Sequence, residues 1–220
     1  MSTYVAFPTT ERFLSKYKEL GHKLSTSVEE AQAPLACEVS SEMADLATQA
    51  LIFRLLEITE ADRPGASLLR QYGQMINKTT RYMTNKFLAT LPDSEIQKLL
   101  YHLETNMHVS EERTFATFPI SDEFAQEFVD SIQNLDSEEF QKSMVKTMEL
   151  ALDHYLLRPL SLLDIGDIAR KLGETSVGAL KMALSISYKQ ILSPAEDHQL
   201  KLYCDYARSW LIEIEPAHET

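Results

Sequence analysis

For most of this 220-residue chain the apolar residues recur at intervals of three and four, the spacing of one face of an α-helix. Behind Thr9 or Thr10 as a cap, Phe13, Leu14, Tyr17, Leu20 and Leu24 make a first stripe, and Ser27 with Glu30 has capping-box spacing before a short piece broken at Pro34. From Ser40 or Ser41 to Ile58 the apolar positions, among them Met43, Leu46, Leu51, Phe53 and Leu55, cover more than one stripe, which predicts a central helix with neighbours on several sides. Asp62-Arg63-Pro64-Gly65 reads as a loop. Ser94 then starts a helix through Ile96, Leu99, Leu103 and Met107, while 108–119 reads as a loop. Ser121 starts a helix carrying Phe124, Phe128 and Ile132, and Asp136 or Ser137 starts another carrying Phe140, Met144, Met148 and Tyr155, which Arg158-Pro159 ends. Ser193-Pro194-Ala195-Glu196 joins an N-cap, a proline at N1 and a glutamate at N3, opening a last helix through Leu200, Tyr203, Ala207, Trp210, Leu211 and Ile214.

The densest apolar spacing falls between Leu162 and Leu192. Leu162, Leu163, Ile165, Ile168, Ala169 and Leu172 share a face, Gly173 follows where a left-handed helix end is wanted, and Ser176 offers a cap for Val177, Leu180, Leu184, Tyr188 and Ile191. The pattern predicts two helices across a tight turn. DNA-binding helix-turn-helix units share that layout, so a transcriptional regulator reading DNA through 165–192, with Thr175, Ser176, Lys181 and Lys189 as contacts, is one functional alternative. Glu174 stands where such turns carry an apolar residue, and two lysines are few for phosphate contact.

These elements predict an all-α protein of about eight or nine helices in one orthogonally packed or partly bundled domain spanning 1–220, with a looser N-terminal part over 1–39 and a frayed tail over 215–220. Only 6 glycines and 8 prolines interrupt the chain, which favours long helices over a many-turned β protein. No secretory signal and no uninterrupted apolar run of spanning length is present, so the expectation is a cytoplasmic protein with no membrane association. Cys37 and Cys204 are too few for a disulfide framework and read as buried small hydrophobes.

The formal net charge of -12 disfavours nucleic acid as a partner, yet the charge is unevenly placed. Between Pro64 and Pro92 there is no acidic residue, and Arg70, Gln74, Asn77, Lys78, Arg81 and Asn85 fall on one side of a helix, with Leu68, Tyr72, Met75, Ile76, Tyr82 and Met83 on the other. That basic face suits an anion or a protein partner. From Glu104 to Glu139, ten acidic residues stand against Arg113 alone, so the acidic block and the basic helix can meet within a subunit or across a dimer.

Catalytic signatures are thin. There is no glycine-rich phosphate loop or nucleophile elbow, and no cofactor is implied. A helix-bundle metalloenzyme is the second alternative, with Glu104, His108, Glu149 and His154 as ligands; Glu19/His22 and Glu215/His218 have the required spacing in poor locations. Met75, Met83, Met107, Met144, Met148 and Met182 suit either a core or an adaptable pocket for a small molecule. Glu95-Ile96-Gln97-Lys98 recurs as Glu139-Phe140-Gln141-Lys142, an echo that chance similarity of two amphipathic helices explains. The leading expectation is a non-catalytic interaction or regulatory protein, a homodimer binding a protein partner through its charged helices.

Overall fold

Thr10, Ser121 and Asp136 do what their positions predict. Thr10 Oγ1 accepts the Phe13 N–H at the start of α1 (Glu11–Ser25), Ser121 Oγ accepts the Phe124 N–H at α6 (Asp122–Gln133), and the Asp136 carboxylate accepts the N–H groups of Glu138 and Glu139 at α7 (Ser137–Leu152). This computed structural model describes residues 2–26, 29–58, 66–110, 113–192 and 195–214, the side chains of Ile168 and Ile191 excepted. The predicted loop at 62–65, the Ser27 cap, the Ser193-Pro194 helix start and the tail from Glu215 lie outside the described residues.

Two prolines expected to break helices do not. Pro34 sits in the first turn of α2 (Ala33–Thr48), where its missing N–H leaves no bond unmade, so this helix begins well before Ser40. α2 continues through a π turn (Gln49–Phe53) into α3 (Arg54–Ile58), and α7 continues through a second π turn (Asp153–Leu157) into α8 (Arg158–Leu162), with Pro159 again in a first turn. The remaining helices are α4 (Ala66–Phe87), α5 (Asp93–Glu104), α9 (Asp167–Leu192) and α10 (Asp197–Arg208).

The tight turn predicted at Gly173 is absent, because α9 runs unbroken through it. Gly173 is buried, and a Cβ there would stand 2.5 Å from Leu160 Cδ1 and 3.2 Å from Met83 Cε. The glycine permits close approach of neighbouring side chains, and does not end a helix. Thr175 and Ser176 are not caps either; their hydroxyls donate to the carbonyls of Lys171 and Leu172, one turn back in the same helix.

The expectation of an all-α chain holds only in its coarser form. The protein is predominantly helical, with 75% of the described residues in eight continuous runs, but four strands among them make a small antiparallel sheet. These are β1 (Ser2–Pro8), β2 (Met107–Ser110), β3 (Arg113–Pro119) and β4 (Leu211–Ile214), in the order β2-β3-β1-β4. The segment read as a loop thus holds a hairpin, with Ser110 opposite Arg113, and Leu211 and Ile214 belong to a strand beside Val5 and Ser2.

The element order repeats. Strand, helix, helix with π turn, helix, helix and strand occur once from β1 to β2 and again from β3 to β4. From the second helix onward the two series keep a constant spacing of 104 residues (33 to 137, 49 to 153, 93 to 197, 107 to 211). The sheet repeats too, since β1 and β3 pair at its centre and each carries the end strand of the other half on its outer edge. Thr117 N–H donates to Asn106 C=O at 2.8 Å, and its counterpart Ala6 N–H donates to Trp210 C=O at 2.7 Å. Carbonyls of each π turn and its edge are bonded from the opposite half: Tyr206 Oη donates to Ala50, and at the equivalent place His102 Nε2 meets His154 C=O at 3.1 Å. The echo of 95–98 at 139–142 is not this repeat, because α5 corresponds to α10 and α7 to α2. One buried cluster runs from Val5 to Trp210 through both halves. Among the described residues no helix is long and apolar enough to cross a membrane.

Candidate functional site

On α4 the predicted polar side faces water. Arg70, Gln74, Lys78, Arg81 and Asn85 are exposed, and Asn77 is half-buried, its Oδ1 accepting from Thr48 Oγ1 at 2.8 Å. The buried face is Leu69, Gly73, Ile76, Thr80, Met83, Thr84 and Phe87, against α2 and α9. Met75 and Tyr82, expected to face inward, are therefore outside, Tyr82 58% exposed. Glycine and threonine hold the inward positions because α2 and the π turn after it come close; a Cβ on Gly73 would stand 2.8 Å from Phe53 Cζ on that turn.

Arg81 reaches Asp45 on α2 at 2.6 Å, while no carboxylate among the described residues pairs with Arg70, Lys78 or Lys86. Lys86 lies instead over the Tyr82 ring, 5.4 Å from its centroid. By contrast, two cations of α1 are paired with carboxylates of α2, Arg12 with Glu42 and Lys16 with Glu38 and Glu42. The acidic block stands elsewhere: Asp122, Glu123, Glu127 and Asp130 are exposed on α6, which packs on α7, α10 and β1, whereas α4 packs chiefly on α2 and α9. Glu138 and Glu139 share Lys142; Glu111 and Glu112 lie outside the described residues. Among the described residues the basic helix thus takes its one acidic partner from α2 and not from this block.

The DNA-contact residues lose their motif with the turn. Thr175 and Lys189 are exposed, Ser176 is half-buried, and Lys181 is held by Asp153 at 2.7 Å, on the second π turn. The proposed metal ligands are not assembled. Glu104 is exposed at the end of α5, His108 is on β2 opposite Phe115, Glu149 is half-buried on α7, and His154 is buried. Among the described residues no three His, Cys, Asp or Glu side chains gather as a cation site.

His154 instead faces His102, the ring centroids 5.0 Å apart, with Phe118 and Tyr155 also against it. Burial, the neighbouring His102 and the Arg158 charge push the His154 imidazole down to about 3, and burial with Arg158 lowers that of His102. Both shifts favour the neutral imidazole. His154 Nε2 has no hydrogen-bond partner. Cys37 and Cys204 are buried thiols, each pushed up to about 11 by burial, far from the range of a reactive thiolate.

Sequence reasoning missed an apolar cavity of about 50 Å³ between α2, α4, α5 and the α7–α8 run, walled by Met43, Met83, Thr84, Leu99, Tyr155 and Leu160. Two hydroxyls lining it, Ser40 Oγ and Thr80 Oγ1, are buried and have no hydrogen-bond partner, and Thr80 is 1% exposed. Of the methionines proposed for a pocket only Met83 is in this wall; Met182 is 70% exposed and Met107 is on β2. Isolated threonines and serines at core spacing gave the only sequence signal. Comparison with family models, with curated proteins and with solved structures finds no match in any of the three.

Proposed function

We propose that this is a non-catalytic interaction protein whose partner is a second copy of itself, the basic face of α4 in one copy meeting the acidic face of α6 in the other. The observation that carries the reading is the exposed Arg70 and Lys78 on α4, with no ion pair among the described residues, set against the four exposed carboxylates of α6. A two-fold pairing makes that contact twice, since in a symmetric dimer each surface meets the other's complement. Exposed Tyr82 on α4 adds apolar area of a kind enriched at protein interfaces.

Sedimentation velocity on the wild-type protein and on the double variant R70E/K78E tests the reading. The expected result is a dimer in low salt that weakens as salt rises, because exposed charges are screened within about 8 Å at 0.15 M ionic strength, and a monomer for the variant. A wild-type monomer at all salts, or a dimer indifferent to the double reversal, would contradict it.

A further inference from the structure

The two halves differ where the cavity lies. Four of its wall positions have counterparts 104 residues away that are larger and buried. Thr84 corresponds to Tyr188 and Leu99 to Tyr203, and both tyrosines are completely buried. Ser40 corresponds to Met144 and Thr80 to Leu184, also buried. Tyr188 fills its side and donates its hydroxyl to Leu51 C=O at 2.6 Å. On the cavity side Thr84 is too short for that, and its hydroxyl bonds to Arg81 C=O in its own helix.

The space is refilled only in part, by Met43, Met83, Leu103 and Tyr155, whose counterparts Thr147, Ser187, Ala207 and Leu51 are smaller. Part of the bulk has therefore moved from stiff rings to flexible thioethers, which yield to an occupant. A void of about 50 Å³ is roughly a third of the 150 Å³ that admits benzene. It has room for a molecule of a few heavy atoms, and more as the methionines turn. The wall is apolar apart from the unpaired hydroxyls of Thr80 and Ser40, and a buried hydroxyl with no partner is costly unless something bonds to it.

We infer that this cavity binds a small neutral molecule with a short apolar body and one hydroxyl or carbonyl oxygen. The oxygen bonds to the free hydroxyls of Thr80 and Ser40, and the hydrocarbon lies among Met43, Met83 and Leu99. Charged ligands are excluded, since no charged side chain lines the space to compensate their desolvation.

The test is a titration of the full chain, its methionine methyls isotope-labelled, with 1-propanol, followed by NMR. The expected result is a saturable shift at Met43 and Met83, with exposed Met182 and strand residue Met107 unmoved. Thr84→Tyr copies the filled half and should abolish the shift, and Thr80→Val should weaken binding by roughly two- to tenfold, the value of one hydrogen bond. Linear, non-saturating shifts in the wild type, equal shifts at Met182, or a Thr84→Tyr protein that binds as before would overturn the assignment. The wild-type titration decides the matter alone if a variant fails to fold. So does density for an ordered water that the alcohol never displaces, which would make the space a hydration site only. Dimerisation plays no part in this readout.

Discussion

Single positions already separate close packing from open surface. Gly178 lies exposed in the middle of α9 with nothing within 4 Å of where a Cβ would be, so Gly178→Ala should raise stability by roughly 0.5–1 kcal/mol in denaturant unfolding, through helix propensity alone. Gly73→Ala must displace the Phe53 ring and crowd Ile52, and should lower stability by about 1–3 kcal/mol. Equal effects at both sites would refute the packing assigned to α4. The buried histidines give a pH dependence of fixed sign. Their pKa values are lowered on folding, so below about 6.5 the unfolded chain binds the protons that the folded chain refuses. Stability is full above that value and falls as pH falls, for His154 down to about 3, by on the order of 1 kcal/mol per unit per histidine. Denaturation midpoints at pH 7 and pH 5 should therefore differ, and His154→Phe should remove part of the difference. A flat wild-type profile would mean that the pair is already protonated or exposed.

At the scale of elements, helices were legible where spacing and caps agree, as in α1, α6 and α7, because an amphipathic stripe and a side-chain acceptor both act locally. The strands were not. β1 and β3 each bury three residues in succession, Val5 to Phe7 and Ala116 to Phe118, so neither shows the alternation that marks a half-buried strand. Gly173 was misread because a glycine after a periodic run serves equally as a helix end or a close-contact point, and only the position of Leu160 distinguishes them. The basic face of α4 was legible from charge, whereas its inward face was not, since Gly73 and Thr80 are inward for reasons set by α2 and α9. The π turns have no sequence signature here, yet they present carbonyls that side chains from the other half bond. Tyr188→Phe leaves the Leu51 carbonyl without that donor and should cost about 1–3 kcal/mol with little change in fold, as read by thermal unfolding and circular dichroism. A cost near zero would mean that this bond contributes nothing to joining the halves.

For the whole molecule, the repeat does have a faint signature: Thr3-Tyr4-Val5-Ala6-Phe7-Pro8 before the Thr10 cap matches Thr114-Phe115-Ala116-Thr117-Phe118-Pro119 before the Ser121 cap. It escapes notice because no comparable run of identities follows in the helices, where spacing alone is kept. The basic face and the cavity both lie where the halves differ, since α4 is basic where α9 is mixed, and the space beside α4 and α5 is open where larger side chains stand beside α9 and α10. The claim that charged helices of two copies pair across a two-fold is tested most directly by mixing two variants. R70E/K78E cancels the net positive charge of α4 and E123K/E127K cancels the net negative charge of α6, so each variant alone loses the attraction at both contacts, while one copy of each sets an unchanged α4 against an unchanged α6 at one contact and the reversed residues against each other at the second. Light scattering of the separate and mixed samples should give two monomers and one heterodimer. A mixture that stays monomeric, or either variant dimerising alone, would contradict the pairing.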